Sequence, residues 1–207
     1  MAKIPQRLLI IGAGGHGRAV AEAVLLAHSS LKPPAIDYII TAFLDDAAAS
    51  GQRVWEWPVW GPTSMIADCV GQVDAVLIAI GNNALRSRLH EAVRASGMTL
   101  ATVIHPDASV SPRAEISKGC ALMAGSVVGP DARLGEGCIV NSGAVVDHDC
   151  VVEAFGHLGV NASMSGSSIL GTGAWMQAGS TLGYGVQVPA GTVLAAGLTI
   201  QSQPPKI

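Results

Sequence analysis

The chain has 207 residues, of which 49% are hydrophobic and 13% are charged, and its formal net charge is −3. This composition is sufficient for a folded core, and no lysine- or arginine-rich run provides the basic surface expected for binding nucleic acid or an anionic membrane. Twenty-five glycines and only 4% aromatic residues indicate many tight turns and a core of small aliphatic side chains.

The first predicted strand, residues 7–11, leads into a glycine-rich loop. Its apolar stretch stops at Gly12 and is too short for a signal peptide or a membrane span, so we expect a cytoplasmic protein without membrane insertion. The loop reads Gly-Ala-Gly-Gly-His-Gly over 12–17, and a helical pattern follows over 18–28. Strand, glycine turn and helix in this order present backbone N–H groups to a phosphate. A nucleotide sugar is the favoured ligand, with NAD or a turn without any ligand as alternatives.

Further strands are predicted near 38–44, 75–80 and 100–103, with a helix near 83–96. Three or four strands make a small Rossmann-like α/β unit, which is about half of a doubly wound dinucleotide fold. We expect the nucleotide site at the edge of the sheet where its parallel strands end.

Polar residues follow two of these strands. Asp45 and Asp46 come after the second strand, and Gly81 and Asn82 come after the strand at 75–80. Ligands of open α/β sheets bind at the carboxyl ends of the strands, so these residues are candidates for contacts with a base or a ribose. A solvent-exposed turn is the alternative interpretation of the two aspartates.

From Ile104 to Ile200, every sixth residue is isoleucine, valine, leucine or methionine. The residue two positions earlier is small from Ala108 to Ser180. A period of six is typical of a hexapeptide β-helix, with three six-residue units in each triangular coil. We therefore predict an α/β domain over 1–103 and a left-handed parallel β-helix over 104–207. Its flat sides favour a closed cyclic trimer.

The repeat has two columns of equivalent positions with different predicted roles: an aliphatic column at every sixth residue, and a small column two positions before it. The aliphatic residues are expected to point into the interior of the prism, beside the small ones, because a bulky side chain in the small column would overpack it. Cys120, Cys138 and Cys150 fall in the small column and are interpreted as inert core residues.

Histidine is the first candidate for acid–base chemistry near neutral pH. His28 and His90 fall on predicted helices, where a surface position is expected. His148 lies between Asp147 and Asp149 at a predicted outward corner, where a carboxylate can orient the imidazole and raise its basicity.

Counting one coil of eighteen residues places two further residues beside histidines. Gly166 should stack on His148, where its backbone N–H could donate to an oxyanion, and Trp175 should cover His157. His105, His148 and His157 have no short spacing typical of metal ligands, so no metal site is predicted.

The sequence resembles the bacterial hexapeptide-repeat sugar acyltransferases, which include UDP-4-amino-sugar N-acetyltransferases of protein glycosylation and sialic-acid O-acetyltransferase-like proteins. The resemblance spans nearly the whole chain. The segments that carry it are Gly14–Gly17, Phe43–Asp46, Ile78–Asn83, Ile104–Pro106 and Asn141–His157.

The resemblance implies roles for individual residues. His148 matches the general base, and Asp149 stands where close relatives usually carry glutamate. Acetyl-CoA contacts are implied at His157, Gly166, Ala178 and Ala196. Substrate contacts are implied at Gly14, Gly15, His16, Asp45, Asp46 and Gly81. Asn82 and Asn141 are further candidates for substrate contacts.

Together these observations predict a metal-independent, acetyl-CoA-dependent N-acetyltransferase acting on a nucleotide-linked amino sugar, with UDP as the favoured nucleotide. Two alternatives remain: O-acetylation of a sialic-acid-type sugar, and nucleotide-sugar binding without turnover. The aspartate pair beside a phosphate loop favours N-acetylation of a nucleotide-linked sugar over O-acetylation of a sialic-acid-type sugar. The intact sequence at 147–149 argues against a protein that binds without turnover.

Overall fold

The computed structural model describes residues 4–30, 36–49 and 51–202. The chain divides into two compact units, Met1–Pro106 and Asp107–Ile207. The repeat pattern in the sequence predicts an earlier boundary, between residues 103 and 104, because the six-residue series of aliphatic residues starts at Ile104.

The first unit is built around a mostly parallel sheet. Its elements are β1 (Gln6–Ile11), α1 (Gly15–Ser29), β2 (Tyr38–Leu44), β3 (Arg53–Val54), β4 (Trp57–Gly61), a 3₁₀ helix (Thr63–Cys69), β5 (Ala75–Ile78), α2 (Asn83–Ala95), β6 (Thr99–Leu100) and β7 (Val103–Ile104). The strand order is β3-β4-β2-β1-β5-β6, and among the described residues of this sheet only β3 and β4 pair antiparallel. The expectation of three or four strands was wrong, because β3 and β4 are short and β4 contains Pro58, which hides a strand from pattern reading.

β1 forms the centre of this sheet, and its residues Leu8–Ile11 have no exposed surface. β2 pairs with one side of β1 and β5 with the other, both parallel to it, so the order in which strands are added to the sheet reverses at β1. Such a reversal leaves a crevice at the carboxyl end of the central strand, where ligands of α/β sheets bind. In this unit the glycine loop follows β1 at that point.

The second unit is the predicted left-handed parallel β-helix, made of two-residue strands. They are β8 (Ser109–Val110), β9 (Glu115–Ile116), β10 (Ala121–Leu122), β11 (Val127–Val128), β12 (Arg133–Leu134), β13 (Ile139–Val140), β14 (Val145–Val146), β15 (Val151–Val152), β16 (His157–Leu158), β17 (Ser163–Met164), β18 (Ile169–Leu170), β19 (Trp175–Met176), β20 (Thr181–Leu182), β21 (Gln187–Val188), β22 (Val193–Leu194) and β23 (Thr199–Ile200).

Every third strand stacks in parallel register at an offset of eighteen residues, as in Val127 on Val145 and Val145 on Ser163. The stacks form three faces. Face A contains β7, β10, β13, β16, β19 and β22; face B contains β8, β11, β14, β17, β20 and β23; and face C contains β9, β12, β15, β18 and β21.

The interior confirms the two predicted columns over most of the helix. The second residue of each strand from Leu122 to Leu194 is buried, and Cys120, Cys138 and Cys150 are free thiols with no exposed surface. The prediction was wrong at the start of the series, because Ile104 is 39% exposed. Ile104 lies in β7, the terminal strand of its stack, where no earlier coil covers it.

The corners follow a further rule that was not predicted. Every sixth residue from Gly119 to Gly197 has a positive φ, so each corner turns through the left-handed region. Glycine fills most of these positions because it has no Cβ to clash there. The exceptions are Asp131, Asp149, Phe155, Asn161 and Ser167.

Across the described ranges, no helix has both the length and the apolar character needed to cross a bilayer.

Candidate functional site

The glycines of the loop after β1 divide into two classes. A Cβ on Gly12, which has φ +109°, would lie 2.7 Å from the carbonyl oxygen of Ala79, and a Cβ on Gly17 would overlap the carbonyl oxygen of Gly12. The fold therefore requires glycine at both positions. A Cβ on Gly14 or Gly15 would meet no atom within 4 Å. These two glycines face open space at the first turn of α1, where a helix has unpaired N–H groups.

This division predicts different effects for three alanine variants. Gly17→Ala should destabilise the unit by about 1–3 kcal/mol, the usual cost of overpacking. Gly14→Ala and Gly15→Ala should keep the melting temperature but weaken binding of a nucleotide sugar, because the added methyl group occupies the open space beside the N–H groups. Thermal unfolding with and without ligand separates the two effects. Equal loss of stability in all three variants would contradict the division.

The paired aspartates after β2 both make hydrogen bonds inside the unit. Asp45 accepts from the N–H of Ala13 at 2.6 Å and from the N–H of Ala47 at 2.8 Å. Asp46 accepts from the N–H and hydroxyl of Thr63 at the start of the 3₁₀ helix. The carboxylates thus brace the edge of the sheet. Each oxygen retains a second lone pair, so a ligand contact stays a prediction.

Gly81 and Asn82 have comparable roles at the next strand end. Asn82 caps α2 by accepting from the N–H of Leu85 at 2.9 Å. The carbonyl oxygens of Ile80 and Gly81 accept from the fully buried guanidinium of Arg86 at 2.9 and 3.3 Å. Sequence reasoning missed Arg86, although its position one turn after Asn82 places it on the inner face of α2.

His16 belongs to the first turn of α1 and is a neutral group. Burial, followed by the nearby charge of Arg86, lowers the pKa of His16 to about 4. Its Nε2 atom is buried and has no hydrogen-bond partner among the described residues. At neutral pH this imidazole can therefore offer a ligand one hydrogen bond but no positive charge.

In the β-helix, His148 projects outward at a corner between faces B and C, with 45% of its side chain exposed. Its Nδ1 lies 2.8 Å from Oδ2 of Asp149. The shorter aspartate therefore reaches the ring. Asp149 has φ +57°, a left-handed conformation that aspartate tolerates better than most residues.

Two carboxylates adjust the basicity of this imidazole. The hydrogen bond that His148 donates to Asp149, with smaller contributions from the charges of Asp147 and Asp149, raises the pKa of His148 above its usual value, although partial burial opposes this. Asp147 accepts from the backbone N–H of His148 at 2.7 Å. With its proton on Nδ1, the neutral ring presents Nε2 as an acceptor, which is the arrangement of a general base.

Gly166 lies one coil beyond His148, as predicted. The N–H of Ser167 donates to the carbonyl of His148 at 3.0 Å, which stacks the two corners. A Cβ on Gly166 would lie 2.5 Å from both Cε1 and Nε2 of the His148 ring. The imidazole thus occupies the space that any side chain at position 166 would need.

The other predicted coenzyme contacts lie elsewhere on the prism. His157 on face A is buried, and its ring stacks on Trp175 at 5.4 Å and 12°, as predicted. Ala178 and Ala196 are exposed and stack at the corner between faces A and B. The whole of face B separates them from His148. Within one chain these residues do not form one site.

Asn141, a predicted substrate contact, makes a local hydrogen bond. Its side-chain oxygen accepts from the N–H of Ser142 at 2.9 Å, a turn contact.

His90 was expected on the surface, which is wrong. It is fully buried, because α2 places it on the same face as Arg86 and Val93. No group of three or more potential metal ligands occurs among the residues the structure describes.

Comparison with known families gives two matches. The model of the PglD N-terminal domain matches residues 7–93, and the bacterial transferase hexapeptide model, with six repeats, matches residues 113–148. Among curated proteins, UDP-N-acetylbacillosamine N-acetyltransferase of Bacillus subtilis is 32% identical over 121 residues, which is 58% of this chain and 52% of that protein. The chain thus aligns with about half the length of that relative.

Solved structures match over more of their length. A variant of GDP-perosamine N-acetyl transferase of Caulobacter crescentus with one histidine replaced by alanine, in complex with CoA and GDP-perosamine, is 34% identical, with a TM-score of 0.84 over 93% of this chain and 87% of that one. PerB from the same organism, in complex with the same two molecules, is also 34% identical, with a TM-score of 0.83. The acetyltransferase domain of PglB from Neisseria gonorrhoeae, in complex with acetyl coenzyme A, is 34% identical, with a TM-score of 0.71 over 98% of both chains.

Proposed function

Since the chain belongs to the bacterial hexapeptide-repeat sugar acyltransferases with a PglD-type N-terminal domain, we propose that it transfers an acetyl group from acetyl-CoA to the amine of a nucleotide-linked sugar. The observation that carries this proposal is the outward His148 ring, held by Asp149 at Nδ1 and packed on Gly166. One matching relative is named for a UDP-linked sugar, and another is in complex with GDP-perosamine. We therefore propose a nucleoside diphosphate as the nucleotide of the substrate, and UDP-linked sugars are to be tested first. The cytoplasm, where acetyl-CoA is supplied, is the proposed location.

The α/β unit supplies the proposed nucleotide site. Gly14 and Gly15 leave open space at the start of α1, where the N–H groups and the helix dipole favour a diphosphate. His16, neutral and with a free Nε2, contributes a hydrogen bond to the same ligand. Asp45 and Asp46 use their remaining lone pairs for base or ribose groups.

The proposed chemistry is direct transfer. Nε2 of His148 takes a proton from the sugar amine as the amine nitrogen attacks the thioester carbonyl. The N–H of Gly166 stabilises the oxyanion that forms, and Asp149 stabilises the imidazolium. When the C–S bond breaks, the proton passes to the departing sulfur, so that the products are the amide and free CoA. No acyl-enzyme is required.

We propose that the site is completed by a second copy of the chain in a homotrimer. Ala178, Ala196 and His157 are the predicted coenzyme contacts, and face B separates the alanine corner from the His148 corner. A coenzyme that contacts both corners must then lie between two protomers. The outward side chains of face B are uncharged, which suits a subunit contact: Ser109, Val127, Val145, Ser163, Thr181 and Thr199.

The raised pKa of His148 predicts the pH dependence of turnover. A base works only when it is deprotonated, so kcat/KM should rise with pH, with a midpoint above the usual histidine value of 6.5. Asp149→Asn removes the main stabilisation of the imidazolium, so the midpoint should shift to lower pH, and the plateau should fall because the ring is held less firmly.

Asp147→Asn is the matched control for that shift. Its carboxylate bonds the backbone N–H of His148 rather than the ring, so its midpoint should move in the same direction but less. A midpoint that is the same in the wild type and in Asp149→Asn, measured from kcat/KM profiles, would refute the role of Asp149.

The function is tested by release of free CoA thiol from acetyl-CoA with UDP- and GDP-linked amino sugars. Transfer to an amine, and none to the matching hydroxyl sugar, is the expected result. Transfer to a sialic-acid-type hydroxyl would instead support the O-acetyltransferase alternative. Binding of a nucleotide sugar without thiol release would support the non-catalytic alternative.

A further inference from the structure

Tyr184 lies in the same corner stack as His148 and has no role in the function proposed above. The stack runs from His148 through Gly166 to Tyr184 at intervals of one coil, and the N–H of Gly185 donates to the carbonyl of Gly166 at 3.0 Å. The rings of His148 and Tyr184 are 6.4 Å apart, centroid to centroid, and tilted by 48°. This is within the range of aromatic pairs in contact.

The Tyr184 ring is unusual for its exposure. It is 62% exposed, more than any other aromatic side chain among the large exposed hydrophobic residues, and its hydroxyl lies 3.4 Å from the hydroxyl of Ser167. That contact anchors the far end of the ring. Because Gly166 has no side chain, the His148 ring lies over its Cβ position and beside the Tyr184 ring. The exposed surface of the Tyr184 ring is therefore next to the imidazole.

Tyr184 is close to the atom that does the proposed chemistry. Nδ1 of His148 is engaged by Asp149, and the opposite edge of the ring, with Nε2 and Cε1, lies over Gly166. Gly166 is the predicted coenzyme contact at this corner, and it lies between His148 and Tyr184 in the stack. A donor that contacts Gly166 is therefore next to Tyr184.

On the basis of the proposed function, we propose that Tyr184 packs against the acyl group of the donor and restricts transfer to short acyl chains. The exposed ring supplies an apolar wall beside Gly166, so that an acetyl methyl group contacts it and a longer chain collides with it. Tyr184 is in this sense a specificity-determining residue, while His148 remains the base.

The test compares acetyl-CoA with butyryl-CoA as donors, by thiol release at a fixed concentration of the amino sugar. The wild type should prefer acetyl-CoA. Tyr184→Ala should raise the ratio of butyryl to acetyl kcat/KM by at least about tenfold, since one methylene in a shaped apolar pocket already changes discrimination by about 10- to 200-fold. Tyr184→Phe keeps the wall and should keep the wild-type ratio.

The outcomes separate this inference from the function on which it rests. Failure of the wild type to release thiol with any nucleotide amino sugar refutes the function. A wild type that is active, with a donor ratio unchanged in Tyr184→Ala, refutes the inference alone. A rise in the KM of the sugar without a change in the donor ratio also refutes it, because the ring would then contact the acceptor. The pH midpoint of kcat/KM should persist in Tyr184→Ala if His148 is undisturbed.

Discussion

Replacing His148 with alanine should lower kcat by about 10²- to 10⁴-fold, the usual contribution of a positioned general base. In the proposed mechanism the variant loses the group that takes the proton from the attacking amine, while the backbone of the corner and its stacking on the next coil remain. The measurement is the steady-state rate of thiol release from acetyl-CoA with a saturating amino sugar.

Two controls make this result specific. Thermal unfolding should be little changed, because the His148 side chain is 45% exposed and contributes nothing to the buried columns of the prism. His28→Gln removes another partly exposed histidine, on α1, and should retain wild-type turnover. An alanine variant at 148 with normal kcat would remove the imidazole from the mechanism.

Replacing Gly166 with alanine should have a comparable effect on turnover, of about 10²-fold or more. The new methyl group would lie 2.5 Å from Cε1 and Nε2 of the His148 ring, so the ring must rotate away from its position. That rotation breaks the 2.8 Å contact with Asp149 and turns Nε2 away from Gly166. The fold should survive, because the ring is partly exposed and can move into solvent.

Gly191→Ala is the matched control. Gly191 has φ +69° and open space around its Cβ position, so alanine there costs backbone strain of about 1–2 kcal/mol without touching the His148 corner. Gly191→Ala should lower the melting temperature and keep kcat. Gly166→Ala should keep the melting temperature and lower kcat. If both variants lost activity in proportion to stability, the steric role assigned to Gly166 would be wrong.

The β-helix was predictable because its rule is periodic and local. Each coil repeats the same six-residue pattern, and one count of eighteen residues is enough to place Gly166 beside His148 and Trp175 beside His157. The same count, applied twice, reaches Tyr184, so this neighbour of the base could also have been found from the sequence.

The α/β unit was less predictable because its contacts join distant parts of the chain. Asp45 accepts from the N–H of Ala13, thirty-two residues away, and no pattern distinguishes such a brace from a ligand contact. Arg86 and His90 are polar residues in a helix whose inner face is otherwise apolar, and composition alone suggests exposure. β3 and β4 are too short to show alternation.

The eighteen-residue stack also limits how the proposed catalytic corner can change. A single residue deleted or inserted within a strand between positions 148 and 166 would turn the side chains after it to the wrong face, which the packed interior opposes. Duplication of one whole coil there would keep every interior layer in register. It would nevertheless place a new corner over His148 and move Gly166 one coil further along the axis, so that the proposed base would lose its contact with the glycine.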